Sequence, residues 1–200
     1  MSVAGMHGIT ENTPKNVPFG AGTIHKGLKY VSSKWNFEES IVGATNGGSK
    51  LSIVPELYRV PIDGANVAVK GLDVKVGEKA TMEINFAELT KELVAAATLG
   101  ELDTTQAADL YDVIKSKSDI KPNDYWENIA FVGRDLEGKY MIAILPNALC
   151  TSGFEHEGKN KESVVGKYTF ECYADPSTAT FDALPWQIYY PKAKETTATT

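Results

Sequence analysis

The stretch that most resembles a catalytic motif is GATNGGSK, residues Gly43–Lys50. A nucleotide-binding P-loop needs a glycine-rich bend and then Lys followed by Ser or Thr at a helix start, because the lysine reaches the phosphates and the hydroxyl holds magnesium. Here Ser49 precedes the lysine, and the β-branched residues that follow include Pro55, which disfavours a helix. The pattern therefore predicts a hairpin turn at Asn46-Gly47 instead of a phosphate site.

The three histidines lack the spacing of metal ligands or of an acid–base pair. His7 lies in a polar N-terminal segment, and His25 alternates with the apolar Ile24, so we expect it to point away from the core. His156 has glutamates on both sides, but alternation along a strand sends those carboxylates to the opposite face. The sequence predicts no metal site.

Cys150 and Cys172 also lack catalytic or zinc-binding spacing, and CTSGF matches only half of a serine nucleophile elbow. With no apolar N-terminal segment, we expect both cysteines to be buried, reduced thiols in a chain kept in a reducing compartment. We therefore expect no catalytic residue and no cofactor.

The composition favours one domain with a good core, since 42% of the 200 residues are hydrophobic. A net charge of −6 and a pI near 5.2 argue against a protein that grips nucleic acid. The sequence contains no run of 18 apolar residues, so it predicts no membrane span. We expect an N-terminal arm over residues 1–20, one domain over residues 21–191 and a flexible tail over residues 192–200.

Short strands separated by glycine-containing turns are predicted over residues 21–28, 50–60, 66–76 and 79–86. The clearest alternation puts Ala80, Met82, Ile84 and Phe86 on one face, and a shift of apolar parity at Gly71 predicts a β-bulge there.

Helical periodicity follows, with Asn85 as the predicted N-cap and Gly100 as the stop. A second amphipathic helix is predicted over residues 105–117.

Strands return after Pro122, over residues 125–132, 139–145, 148–157, 164–174 and 186–190. The hairpin over residues 126–145 is apolar on both faces, so its second face needs a helix or a neighbouring subunit as cover. The sequence thus predicts a mainly-β, antiparallel β-sandwich with one or two flanking α-helices. Its free edges risk open-ended aggregation, which a closed ring of identical subunits would remove, and stacked rings would form a tube.

An ordered series of segments resembles the major tail tube proteins of long-tailed, non-contractile bacteriophages, the group common in phages of Gram-positive hosts. The segments run from about Val17 to Pro191 and are NVPFGAGTIHKGL, GATNGGSKLSIVPELYRVPIDGANVAVKGLDVKVGEKATMEINFAELTKELV, ENIAFVG, MIAILPNALCTSGFE, KNKESVVGKYTFECYAD and LPWQIYYP.

The resemblance implies a non-enzymatic virion protein, made in the host bacterial cytoplasm, whose subunits form hexameric rings around a shared inner β-barrel. The rings stack into the tail tube, with a tape-measure protein inside and tail terminator and tail-tip proteins as further partners. DNA only passes through, and an acidic lumen would keep it from adhering.

Two sets of residues are assigned within this picture. We expect the hairpin over residues 66–86 to form the barrel wall, with Lys75, Glu78, Thr81 and Glu83 facing the lumen. We expect the N-terminal arm and the loop over residues 29–40, with Trp35 and Phe37, to make ring-to-ring contacts.

Two alternatives remain open on the residues alone. The first is a monomeric β-sandwich module that binds a ligand such as a carbohydrate through Trp126 or Trp186. The second is a β-sandwich hydrolase, which the poor supply of acid–base clusters disfavours.

Overall fold

The computed structural model describes residues 8–10, 13, 17–106, 110–158, 160, 164–178 and 181–192. Its strands are β1 Pro18–His25, β2 Tyr30–Val31, β3 Lys34–Trp35, β4 Thr45–Arg59, β5 Asp73–Phe86, β6 Glu101–Asp103, β7 Val113–Lys115, β8 Trp126–Asp135, β9 Tyr140–Cys150, β10 Gly166–Cys172 and β11 Gln187–Tyr189. Its α-helices are α1 Phe37–Ser40 and α2 Lys91–Thr98, and Pro122–Asp124 form a 3-10 turn. None of the helices in the described ranges is long and apolar enough to span a bilayer.

The main sheet is antiparallel, with strand order β1–β8–β9–β10–β5–β4 and β11 added beside β9. Just before β4, the chain returns to β1, where the Val42 amide donates to the Ile24 carbonyl at 3.0 Å. The sheet thus folds around a main core. The predicted mainly-β, antiparallel fold is confirmed, and the arrangement fits a sandwich.

Strict alternation along β5 builds the main core. Ala80, Met82, Ile84 and Phe86 are all buried, as the sequence predicts, because every second residue of a strand points to the same face. Helix α2 closes the core by burying one apolar stripe, formed by Leu93, Ala96 and Ala97.

The β8–β9 hairpin is covered on both faces, which confirms the apolar pattern of its sequence. Its second face carries the buried Ala130, Val132, Ile142 and Ile144. The cover was predicted to be a helix or a neighbouring subunit, but much of it comes from residues 28–37 of the same chain. Leu28, Trp35 and Phe37 pack there.

The predicted hairpin turn at Asn46-Gly47 is wrong, because both residues lie inside strand β4. Thr45 pairs with Phe86 and Ser49 with Ile84, so three residues bulge opposite Asn85. The side-chain amide of Asn85 donates hydrogen bonds to the carbonyls of Gly47 and Gly48, at 3.3 and 3.2 Å. Both glycines have a positive φ, as a bulge of this kind requires. A strand, not a helix, follows the glycines, so the local structure is not that of a P-loop.

The predicted strand over residues 66–76 is confirmed only for residues 73–76, and its bulge at Gly71 is wrong. Gly71 lies in the connection between β4 and β5, and β5 begins only at Asp73. The bulge in this hairpin is at Val76. Glu56 of β4 pairs with Gly77, and the next residue of β4 pairs with Lys75, so Val76 has no partner in the ladder. The long hairpin is therefore β4–β5, not a hairpin within residues 66–86.

Both predicted helices differ from the structure. The first begins at Lys91, where the Thr90 hydroxyl accepts a hydrogen bond from the Leu93 amide, because Asn85 and Phe86 remain in the sheet. Residues 113–115 of the second pair with β6 as strand β7, and residues 107–109 lie outside the described residues. Gly100 does follow the end of α2, as predicted. A larger residue would not fit there, because its Cβ would lie 2.8 Å from the Ile114 side chain.

The predicted arm and tail lie mostly outside the described residues. Strand β1 begins at Pro18, so the last residues assigned to the N-terminal arm belong to the sheet. Of the predicted tail, only Lys192 is described.

Candidate assembly surfaces

The four residues predicted to line a lumen do not share one face. Thr81 and Glu83 lie on the face of β5 opposite the core, as alternation requires. Lys75 and Glu78 contact each other across the bulge at Val76, and Glu78 is on the core side with a side chain only 5% exposed. The prediction of a common polar face is therefore wrong for Glu78.

Ion pairs cover the outer face of β4, β5 and β10. Glu83 lies between Lys167, at 2.8 Å, and Lys50, at 3.5 Å. On the same face Lys79 pairs with Glu171 at 2.9 Å. The Lys167 ammonium holds the pKa of the Glu83 carboxyl below its usual range, so this carboxylate stays charged.

The acidic lining expected for a lumen is not found on this face. Three lysines, Lys50, Lys79 and Lys167, share this face with three glutamates, Glu56, Glu83 and Glu171, which gives 3 − 3 = 0. Because the charges balance, the surface offers neither a cationic track for a polyanion nor a strongly repulsive one.

Glu78 joins the β4–β5 hairpin to the segment before β11. One carboxylate oxygen accepts from Lys75 Nζ at 2.6 Å and the other accepts from the Leu184 amide at 2.6 Å. The Lys75 ammonium has the larger effect and the Leu184 amide the next, and both hold the pKa of the Glu78 carboxyl below its usual range. A buried carboxylate with two donors fixes its neighbours in place, because any displacement leaves it unpaired.

Beyond the core, the β4–β5 hairpin continues as an arm, defined here as residues 54–76. Residues 54–59 of β4, at about 3.3 Å a residue, extend it by roughly 20 Å, and residues 60–72 connect the two strands beyond that. The arm displays apolar side chains on both faces, since Leu57 and Tyr58 are adjacent and both more than half exposed. Its exposed apolar residues are Val54, Leu57, Tyr58, Val60, Ile62, Val67, Val69, Val74 and Val76.

The arm is two-stranded, and β4 is the outermost strand of the sheet. Two isolated strands are marginally stable in water, and an unpaired edge is a template for another strand. In the described part of the chain the ion pairs of the arm are Arg59 with Asp73, at 2.9 Å, and Lys75 with Glu78, at 2.6 Å. Both its edge and its apolar faces are therefore available to a partner.

Sequence reasoning missed the arm as a unit. The signal was present in residues 57 and 58, where apolar side chains of both parities occur without a nearby helical pattern to cover them.

Trp35 and Phe37, the predicted ring-contact residues, are half-buried in an aromatic cluster of the chain itself. Trp35 packs edge-on against Tyr189 with centroids 5.0 Å apart, and Phe37 lies 4.9 Å from Tyr140. Tyr30 extends the cluster at 5.1 Å from Trp35 and is largely exposed. The cluster seals the second core and still presents aromatic surface to solvent.

His25 is buried, so the expectation that it points to solvent is wrong. It does lie on the face opposite Ile24, but α1 and the residues around it cover that face. Its Nδ1 lies 2.9 Å from the Ser40 hydroxyl, which donates to the Asn36 carbonyl at 2.7 Å, while Nε2 lies 2.8 Å from the Thr23 hydroxyl. Ser40 is buried with its proton committed to a carbonyl, which does not suit a nucleophile.

Cys150 and Cys172 are free and buried, as predicted. Burial raises the pKa of both thiols, that of Cys172 to about 11, so neither forms a thiolate near neutral pH. The described residues also contain no cluster of three His, Cys, Asp or Glu side chains that could hold a metal ion.

Trp126 does not form the carbohydrate platform considered for a binding module. It is buried against Phe170, with centroids 4.9 Å apart, and Lys26 Nζ lies 4.3 Å from its ring. Trp186 is half-buried against the main core.

No model of a protein family matches the chain. A comparison with curated proteins also finds no match. Function is therefore inferred from the residues and the fold.

Proposed function

We propose that the chain is a structural subunit of a bacteriophage tail tube, in which hexameric rings close around a shared inner β-barrel and stack into a conduit for DNA. The resemblance of residues 17–191 to that class of protein motivates the proposal. The observation that carries it is the exposed arm, because an apolar two-stranded extension is stable only when something covers it.

A second copy of the chain is the simplest cover for the arm. Strand β4 ends the sheet on one side, so a neighbouring copy can add a strand there and repeat the contact around a ring. Contacts of this head-to-tail type close into a ring when the rotation between copies allows it.

The outer face of β4, β5 and β10 is our candidate for the lumen wall, with Thr81 and Glu83 as lining residues. Its paired charges support a conduit that neither binds nor strongly repels passing DNA. Glu78 is left out of the lining because it is buried, and Lys75 because it lies against Glu78.

Trp35 and Phe37 are kept as candidates for ring-to-ring contacts, because the aromatic cluster around them retains exposed surface. The partners in this proposal are other copies of the chain, a tape-measure protein, and tail terminator and tail-tip proteins. The place of action is the virion, and no catalytic step is assigned to the chain.

Negative-stain electron microscopy and sedimentation of the same concentrated sample test the proposal. Rings or hollow tubes of uniform width are expected. If the chain stays monomeric alone and also with a tail-tip complex and tape-measure protein added, the tube proposal is wrong and a monomeric ligand-binding module becomes the better explanation.

A further inference from the structure

A groove lies on the outer face of β8, β9 and β10, at the end of the sheet nearest the arm. Ala148 of β9 pairs with one buried residue of β8 and one buried residue of β10. Because side chains alternate along a strand, the residues next to these three face outward. Asn147 and Tyr173 are such neighbours, joined by a hydrogen bond from the Tyr173 amide to the Asn147 carbonyl at 2.8 Å. Tyr125, just before β8, has the same parity. These three residues line the groove.

Two tyrosine rings form a corner in this groove. The Tyr125 and Tyr173 centroids are 5.4 Å apart and their planes meet at 80°. The groove has a volume of about 400 Å³, inside the range of about 300–1,000 Å³ typical of small-molecule sites.

Both rims of the groove are held in shape by short hydrogen bonds. On one side, the 3-10 turn is capped by a bond from the Lys121 amide to Asp124, at 2.7 Å. On the other, Asp175 Oδ1 accepts from the amide and the hydroxyl of Ser177 at 2.8 and 2.7 Å. A preformed site of this kind loses little entropy when a ligand binds.

Several polar groups that line the groove are unused. Among the described residues, no hydrogen-bond partner lies near the Tyr125 and Tyr173 hydroxyls, the Asn147 side-chain amide or Asp175 Oδ2. The neighbouring Lys121 ammonium makes only a long ion pair with Glu101, at 3.6 Å.

This combination suits a neutral sugar. The face of an aromatic ring is electronegative and attracts the polarised C–H groups of a pyranose, while an amide and a carboxylate bind its hydroxyls. Lys121 and Asp175 both line the groove, so its charges are of opposite sign and sum to zero, which suits an uncharged ligand better than phosphate or nucleic acid. A proline-rich peptide is the rival ligand, since such peptides also bind aromatic-lined grooves.

We propose that the groove formed by Tyr125, Asn147, Tyr173 and Asp175 binds a neutral hexopyranoside, as one or two units of a glycan. The site is a ligand-binding function in addition to tube formation and does not rest on it; because Tyr173 shares the parity of Glu171 along β10, the groove adjoins the candidate lumen wall and is tested on the unassembled chain. Because the groove is shallow, dissociation constants on the order of 1 mM are expected for a disaccharide.

Ligand-observed saturation-transfer NMR with maltose, cellobiose, lactose and N,N′-diacetylchitobiose tests the proposal on the full chain. At least one disaccharide should bind, and in proton–nitrogen correlation spectra of the labelled protein it should shift the backbone amide signals of Asn147 and Tyr173. If none binds at 20 mM, or if only a proline-rich peptide binds, the proposal is wrong.

Variants separate binding from folding. Tyr173→Ala should weaken binding at least tenfold, and Asn147→Ala should weaken it severalfold. Asp175→Asn keeps the acceptor for Ser177, and therefore the turn, while it removes the charge that orients sugar hydroxyls, so it too should weaken binding. Tyr190→Ala, an exposed tyrosine that does not line the groove, is the matched control and should bind normally. Unchanged binding in folded Tyr173→Ala and Asp175→Asn proteins would overturn the proposal.

Discussion

Glu78 and Glu83 lie on the same strand, yet the protein uses them in opposite ways. Glu83 is on the outer face between two lysines, whereas Glu78 is buried and accepts a backbone hydrogen bond from Leu184. Local sequence predicted both as polar-face residues. The bulge at Val76 and a partner more than a hundred residues away along the chain decide the difference, and neither is visible in a strand pattern.

Glu83→Lys is expected to change how DNA moves through a tube without preventing tube formation. The substitution replaces a negative charge by a positive one and so shifts the charge of a balanced face by +2, which makes the wall a cationic track. Ejection assays should show slower DNA delivery, and tubes should retain labelled DNA more strongly at low salt than at high salt.

Glu137→Lys is the control, because it changes the net charge equally in the β8–β9 turn. Loss of tubes in Glu83→Lys, with tubes intact in the control, would contradict the placement of Glu83 in the lumen.

Because of His25, we expect the free energy of unfolding to decrease on mild acidification. Burial lowers the pKa of His25 below its ordinary value of 6.5, so the folded protein keeps this ring neutral. Below about pH 6.5 the unfolded chain therefore binds more protons than the folded one, and the free energy of unfolding falls with pH by at most about 1.4 kcal/mol per pH unit. Urea unfolding between pH 7 and 5 measures this slope.

His25→Gln should flatten that slope, since the amide can still bond to Thr23 and Ser40 but does not titrate. His156→Gln, at an exposed position, should leave it unchanged. Equal slopes in the wild type and His25→Gln would show that His25 is not responsible.

At the scale of elements, the β4–β5 hairpin has two halves with different roles. The half nearest Phe86 forms the core through strict alternation, while the arm beyond it displays apolar side chains on both faces. Strand propensity alone does not separate the two, because β-branched residues favour both.

Leu57→Asp is expected to abolish assembly while the isolated chain remains folded. Leu57 is 62% exposed, so the monomer loses almost no contacts and its free energy of unfolding should change by less than about 0.5 kcal/mol. A buried Asp in a subunit contact is costly, because its charge has no partner there. Sedimentation and thermal unfolding of the same sample measure both effects.

Leu136→Asp is the matched control, since Leu136 is 52% exposed in the β8–β9 turn, away from the arm. If Leu57→Asp assembles as well as this control, the arm is not an assembly element.

The β2–β3 hairpin carries strain that a substitution can relieve. Ser32 and Ser33 form its turn with φ of 49° and 65°, values at which asparagine and glycine are favoured. Ser32→Asn with Ser33→Gly should raise the free energy of unfolding by about 1 kcal/mol. A denaturation midpoint that stays the same or falls would show that the turn is not strained.

At the scale of the whole molecule, Glu78 connects distant parts of the chain. Glu78→Ala leaves the Leu184 amide without its acceptor and is expected to cost about 2 kcal/mol in unfolding free energy. Glu78→Gln should cost less, because it retains an acceptor for that amide. Because the pKa of Glu78 is lowered, its contribution is present above about pH 4.5 and is lost as the pH falls through the folded-state pKa.

Urea unfolding measures the cost, and limited proteolysis should show faster cleavage near residues 184–190 in Glu78→Ala. Glu171→Ala, which removes an ion-pair partner on the outer face of the sheet, serves as the control. Equal stability and equal cleavage in the two variants would show that Glu78 does not hold the segment.

Periodicity by itself determined the antiparallel β class, the buried row from Ala80 to Phe86 and the apolar character of both faces of β8–β9. These follow from side-chain alternation, which acts over a few residues and needs no knowledge of the partner. Only the tertiary structure decided that residues 113–115 pair as a strand, that residues 28–37 cover the second face, that Glu78 is buried and that the arm is exposed. Each of these depends on which distant segments meet, and the free energy of such contacts overrides local propensity.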